Sequence, residues 1–198
     1  FLIPRILDLS SFYPSDNDLK TFTVNFIFFL SQLDDEICFN YVQEMIINFL
    51  IETIDSLLNL EDVRIALLCL TNFVMKEKTK NNLDGSIIFH KSIQLQNHFR
   101  QNYDFNDQLK YEKLIFTLFD LIASCIISYK LSEDEIESVI QLFIDFLNSN
   151  EENENETENK VNRIFQISSM QAISKTVFWK SKKKFLLELS KESEEEEE

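Results

Sequence analysis

The sequence predicts an all-α fold, and three observations carry that prediction. The 198 residues hold one Gly (Gly85) and two Pro (Pro4 and Pro14). Hairpins and sandwiches draw on Gly for positive φ at their turns, so a chain this poor in it is not built from many short strands. Apolar residues recur at spacings of three and four almost throughout, the helical period. Alternate predicted helices are also evenly spaced. Leu19, Val63, Leu109 and Val161 sit at similar places near their helix starts, in steps of 44, 46 and 52 residues. Steps near 40–47 belong to solenoid repeats, whose units bury their apolar faces only by stacking on one another. The expected architecture is therefore a right-handed α-solenoid of stacked antiparallel helix pairs, one segment over residues 1–190. A compact bundle also buries a central helix all round; the even spacing favours the open row.

The predicted elements run in order from the N-terminus. A short helix covers Leu2–Leu9, followed by Asp16–Ser31, then a long one from Asp34 to about Leu57. The stretch Glu61–Lys78 is apolar on nearly every side, with Val63, Ile65, Leu67, Leu68, Leu70 and Val74 set to meet several neighbours and Arg64, Asn72 and Lys76 nearer solvent. Ser86–Gln101 and Asp107–Lys130, the latter capped by Asn106, form the next pair. Ser132 and Glu135 make a capping box at the head of Ser132–Asn148, whose apolar stripe is Ile136, Val139, Ile140, Phe143 and Leu147. Lys160–Trp179 and Ser181–Leu189 complete the set. After Asn148, residues 149–160 read as a disordered acidic insertion, because they are polar, charged and without apolar anchors. Residues 190–198 read as an acidic tail.

Net charge is −15, concentrated in two places. Residues 151–160 and 188–198 hold twelve Glu against two Lys, and the rest of the chain carries 22 acidic and 17 basic groups. That body offers no clustered cations for a phosphate backbone, so nucleic acid is not an expected partner. The longest apolar runs, such as Val24–Leu30, fall far short of the roughly 20 residues of a membrane helix. Cys38, Cys69 and Cys125 are widely spaced in apolar helical settings, which reads as free, buried thiols in a reducing compartment, cytoplasm or nucleus. The chain opens on Phe1 and is read as a piece of a longer protein.

The segment Glu61–Leu70, "EDVRIALLCL", resembles the second helix of a HEAT repeat: an acidic turn, then Val-Arg, then small and large apolar residues, matched by Asp62, Val63, Arg64, Ala66, Leu67 and Leu70. Armadillo repeats look similar at this level. The resemblance implies that Asp34–Leu57 and Glu61–Lys78 form one repeat. It likewise pairs Ser86–Gln101 with Asp107–Lys130, and Ser132–Asn148 with Lys160–Trp179. Leu2–Leu9 and Asp16–Ser31 would then end a preceding unit. The run from Val63 to Lys78, with Leu109–Ser124 downstream, is also similar to HEAT subunits of condensin- and cohesin-type complexes.

No motif for catalysis stands out. One Gly excludes a phosphate-cradling loop, and no nucleophile elbow is present. His90 and His98 are eight apart, not the three or four of a helical metal pair. Neither an enzyme, a cofactor nor a metal is expected. Lys180–Lys184 is the one basic cluster, read as a solvated connection. Ser193 precedes five Glu and is a phosphorylation candidate for acidophilic kinases. The expected function is a non-catalytic scaffold segment that binds a partner peptide or helix, itself basic or amphipathic. The alternative is a HEAT subunit of a chromosome-associated or nuclear-transport complex. Solenoids line their binding faces with second helices, which places the partner-binding candidates at Arg64, Asn72, Lys76, Lys113, Thr117, Asp120, Arg163 and Gln166.

Overall fold

The computed structural model describes residues 2–32, 43–75, 85–102, 107–129, 131–148 and 156–195, without the side chains of 156–158 and 183–195. Cys38, Lys76, Asn106 and residues 149–155 of the predicted insertion lie outside the described residues. The fold is all-α: eight α-helices and one 3₁₀ turn, with no strand among the described residues. The chain falls into two compact units, Phe1–Leu131 and Ser132–Glu198.

The first unit holds α1 (Leu2–Phe12), α2 (Asn17–Ser31), α3 (Gln43–Thr53) with a 3₁₀ turn at Ile54–Ser56, α4 (Leu60–Met75), α5 (Gly85–Gln101) and α6 (Gln108–Ser128). Pro4 sits in the first turn of α1, where the missing N–H costs no intrahelical bond. Asp16 caps α2, its Oδ1 accepting the Leu19 N–H at 2.9 Å. The cap of α6 is Asp107, one residue after the expected Asn106.

Helix α4 touches α2, α3 and α6, and its contact with α6 is the most extensive in the unit. That accounts for its all-round apolarity. Val63, Ala66, Leu67, Cys69, Leu70, Phe73 and Val74 are buried, while Ile65 and Leu68 are only half-buried. Helix α6 is apolar in the same way, with Leu114, Ile115, Leu118, Phe119, Leu121 and Ile122 all inside.

Side-chain hydrogen bonds fix the helix directions. Thr21 Oγ1 on α2 donates to Asp62 Oδ2 on α4 at 2.7 Å, and Asn72 Nδ2 on α4 donates to Ser31 Oγ on α2 at 3.1 Å. Both links span 41 residues of sequence, so α2 and α4 run side by side in the same direction. The end of α6 meets the end of α4, where Ser128 Oγ lies 3.8 Å from Met75 Sδ. At the other ends, Lys110 and Lys113 of α6 act electrostatically on Glu61 of α4, so this pair is parallel too. Helix α5 runs antiparallel to α6. Tyr111 at the start of α6 meets Phe99 near the end of α5, with ring centroids 6.4 Å apart, and Tyr129 beyond α6 stands against Gly85 at the start of α5.

The second unit is a helix pair, α7 (Glu133–Asn148) and α8 (Glu156–Glu195). The capping box forms as expected: Ser132 Oγ accepts the Glu135 N–H at 3.2 Å, and Glu135 Oε2 accepts the Ser132 N–H at 2.7 Å. Val139, Phe143 and Phe146 face inward, and Phe146 meets Phe165 of α8 at 5.2 Å between centroids. The expected Ile140 and Leu147 are exposed instead, since the buried stripe is narrower than the apolar one. Two predicted helices are one: α8 runs unbroken from Glu156, inside the predicted insertion, through the Lys180 region to Glu195, well inside the predicted tail. No Gly or Pro interrupts those 40 residues, and Lys, Glu and Ser carry only modest helix penalties.

Candidate functional site

Three of the eight sequence-selected candidates, Arg64, Asn72 and Thr117, are engaged within the fold. Arg64 lies one turn into α4 and is three-quarters buried at its side chain. Its Nε donates to Glu61 Oε2 at 2.9 Å, and its Nη2 pairs with Glu61 Oε1. This fork holds the Glu61 carboxyl below the usual carboxylate range and the guanidinium above its ordinary value. Asn72 is half-buried and serves the α2–α4 link. Thr117 is buried, its hydroxyl turned back to the Lys113 carbonyl oxygen at 2.8 Å. Asp120 and Gln166 are half-buried, whereas Lys113 and Arg163 are exposed. Lys113 belongs to the first unit and Arg163 to the second. Ser193 falls within α8, its side chain outside the described residues.

Cys69 and Cys125 are buried, and neither forms a disulfide with a described residue. Burial pushes the Cys69 thiol up to about 12, against a weaker opposing hydrogen bond with Ser31, so it stays protonated and chemically quiet. Both histidines are exposed. Among the described residues no group of three or more His, Cys, Asp or Glu is placed to hold a metal ion. No described helix is long and apolar enough to cross a membrane.

The structure also gathers residues that spacing did not single out. In the first unit, the 3₁₀ turn, the start of α4, the end of α5 and the start of α6 enclose a half-open groove of about 420 Å³. Leu60, Val63, Leu95, Phe99 and Tyr111 supply apolar walls, and the polar groups are Asp55, Lys91, Gln94 and His98. Lys91 Nζ is ion-paired with Asp55 Oδ2. Tyr111 Oη donates to the Asn102 carbonyl oxygen at 2.9 Å, which fixes one wall. Asp55 and Lys91 are 36 residues apart and on different elements, so no local pattern reveals them.

Gln96, on α5, is fully buried, and neither its Nε2 nor its Oε1 has a hydrogen-bond partner among the described residues. Burying an amide without partners costs stability. Gln96→Met keeps the shape and removes the polar atoms; it is expected to raise stability by about 1 kcal/mol. Urea unfolding checks this, and a lower midpoint would show that the amide is satisfied by a bound water.

Comparison with protein-family models, with curated proteins and with solved structures finds no match to this chain.

Proposed function

We propose that this chain is a non-catalytic scaffold segment of HEAT/armadillo type, holding a partner peptide or helix on the faces of stacked helix pairs. The observation that carries the reading is the pair of 41-residue links between α2 and α4. Parallel helices two elements apart are part of the arrangement a row of repeats requires. The step is close to the period read from the spacing of Leu19, Val63 and Leu109. Supporting it, α6 stands parallel to α4 and antiparallel to α5.

Two measurements test the reading. A row with nearest-neighbour coupling responds locally to damage. Ile27→Ala on α2, a fully buried site, is expected to speed amide exchange in α1–α4 and leave the end of α6 protected. Equal loss along the whole first unit would favour a single closed core. For binding, Lys113 is an exposed cation on a second helix. A partner captured from extract by the intact chain is expected to be lost with Lys113→Glu and kept with Glu137→Lys, an exposed control on α7. Capture indifferent to Lys113 would remove it from the binding face.

A further inference from the structure

We propose that the groove between the 3₁₀ turn, α4, α5 and α6 is a binding site for a small monocarboxylate with an apolar tail. The inference goes beyond the scaffold reading and does not depend on it. Three observations meet there. The groove's volume, about 420 Å³, is that of a site for one small molecule rather than for an extended chain. Its walls are apolar, with Leu60, Val63, Leu95 and Phe99 from two helices. Its one permanent cation is the inner member of an ion pair. The Lys91 side chain is 14% exposed, whereas that of Asp55 is 64% exposed.

That asymmetry decides what the pair can do. A carboxylate so open to water is held by little net energy, because hydration competes with the ammonium. The Lys91 side chain is largely covered, while its contact with Asp55 is exposed. An incoming carboxylate takes the place of Asp55 on Lys91 Nζ while its tail covers the walls. Asp55 swings into water and stays hydrated. The charged or titratable groups lining the groove are Asp55, Lys91, His98 and the phenol of Tyr111. Asn102 Nδ2, which donates to the His98 carbonyl oxygen at 2.8 Å, also lies 3.4 Å from His98 Nδ1. That contact favours the tautomer with its proton on Nε2.

The test is titration of the intact chain with octanoate, octanol and octylamine, followed by the methyl resonances of Val63 and Leu95 and by calorimetry. Octanoate is expected to bind saturably, and octanol about tenfold more weakly, a charge-assisted contact being lost. Lys91→Met, which keeps the apolar stem, is expected to weaken octanoate by about tenfold. Asp55→Asn removes the internal competitor and is expected to tighten it by roughly threefold. Asp55 is exposed, so this variant folds and decides the matter even if Lys91→Met does not. Octanol or octylamine binding as tightly as octanoate would overturn the proposal. So would weaker binding to Asp55→Asn, saturable binding of an acidic peptide alone, or no octanoate binding by both the parent chain and Asp55→Asn.

Discussion

Replacing Phe73 with Ala is expected to cost the first unit about 3–5 kcal/mol, the largest single effect in this fold. Phe73 is fully buried on α4, the helix that touches α2, α3 and α6. Its removal forfeits the transfer energy of a whole ring and leaves a cavity that three packed helices cannot easily close. Phe73→Leu keeps most of the volume and is expected to cost far less, about 1 kcal/mol. Denaturant midpoints for both variants check the ratio. A loss below about 1 kcal/mol for the Ala variant would show that the centre of this unit lies elsewhere.

Gly85→Ala is expected to cost about 3 kcal/mol, although it adds a single methyl. Gly85 opens α5, and its φ is not positive, so freedom of the backbone is not the reason for a glycine here. Space is the reason. A Cβ on Gly85 would lie 2.0 Å from Tyr129 Cγ, far inside van der Waals contact with the ring. The ring is held there because the Tyr129 N–H donates to the Cys125 carbonyl oxygen at 2.9 Å beyond the end of α6. Either α5 or the ring must move, and the α5–α6 pairing moves with it. A double-mutant cycle isolates the effect: in a Tyr129→Ala background the same substitution is expected to be nearly neutral or favourable, since a helical Gly becomes Ala. Equal cost in both backgrounds would remove the ring as the cause. The Tyr129 hydroxyl is itself buried without a hydrogen-bond partner among the described residues, and burial pushes the phenol up to about 12. Tyr129→Phe is thus expected to keep the packing at no loss.

These two residues mark how far the sequence could be read. The all-α fold was legible from Gly and Pro scarcity and from the three–four period, and the capping box at Ser132 was legible because all its parts are local. The burial of α4 was legible too, since its apolar surround has a single structural cause. Gly85 was visible as a rarity, but its neighbour stands 44 residues away at the far end of an antiparallel partner. The groove failed to show for the same reason. Asp55 and Lys91 carry no pattern until α5 lies against the 3₁₀ turn. Candidate binding residues chosen by helix face fared unevenly, because polarity alone does not separate a side chain free for a partner from one spent on its own fold. Asn72 and Thr117 are polar and occupied, and Arg64 is held by Glu61. The joined helix α8 was missed because a polar, charged stretch was read as a break, whereas only Gly or Pro would have forced one.

The common direction of α2, α4 and α6 has an electrical consequence. Helices laid parallel bring their positive amino ends to one edge, and like ends repel. Acidic residues gather at that edge: Asp16 and Asp18 at α2, Glu61 and Asp62 at α4, Asp107 at α6. None of the three helices has a basic residue in its last turn. Carboxylates at the amino ends are each worth about 0.3–1 kcal/mol. Part of this chain's negative charge is thus ballast against its own backbone, and it advertises no partner.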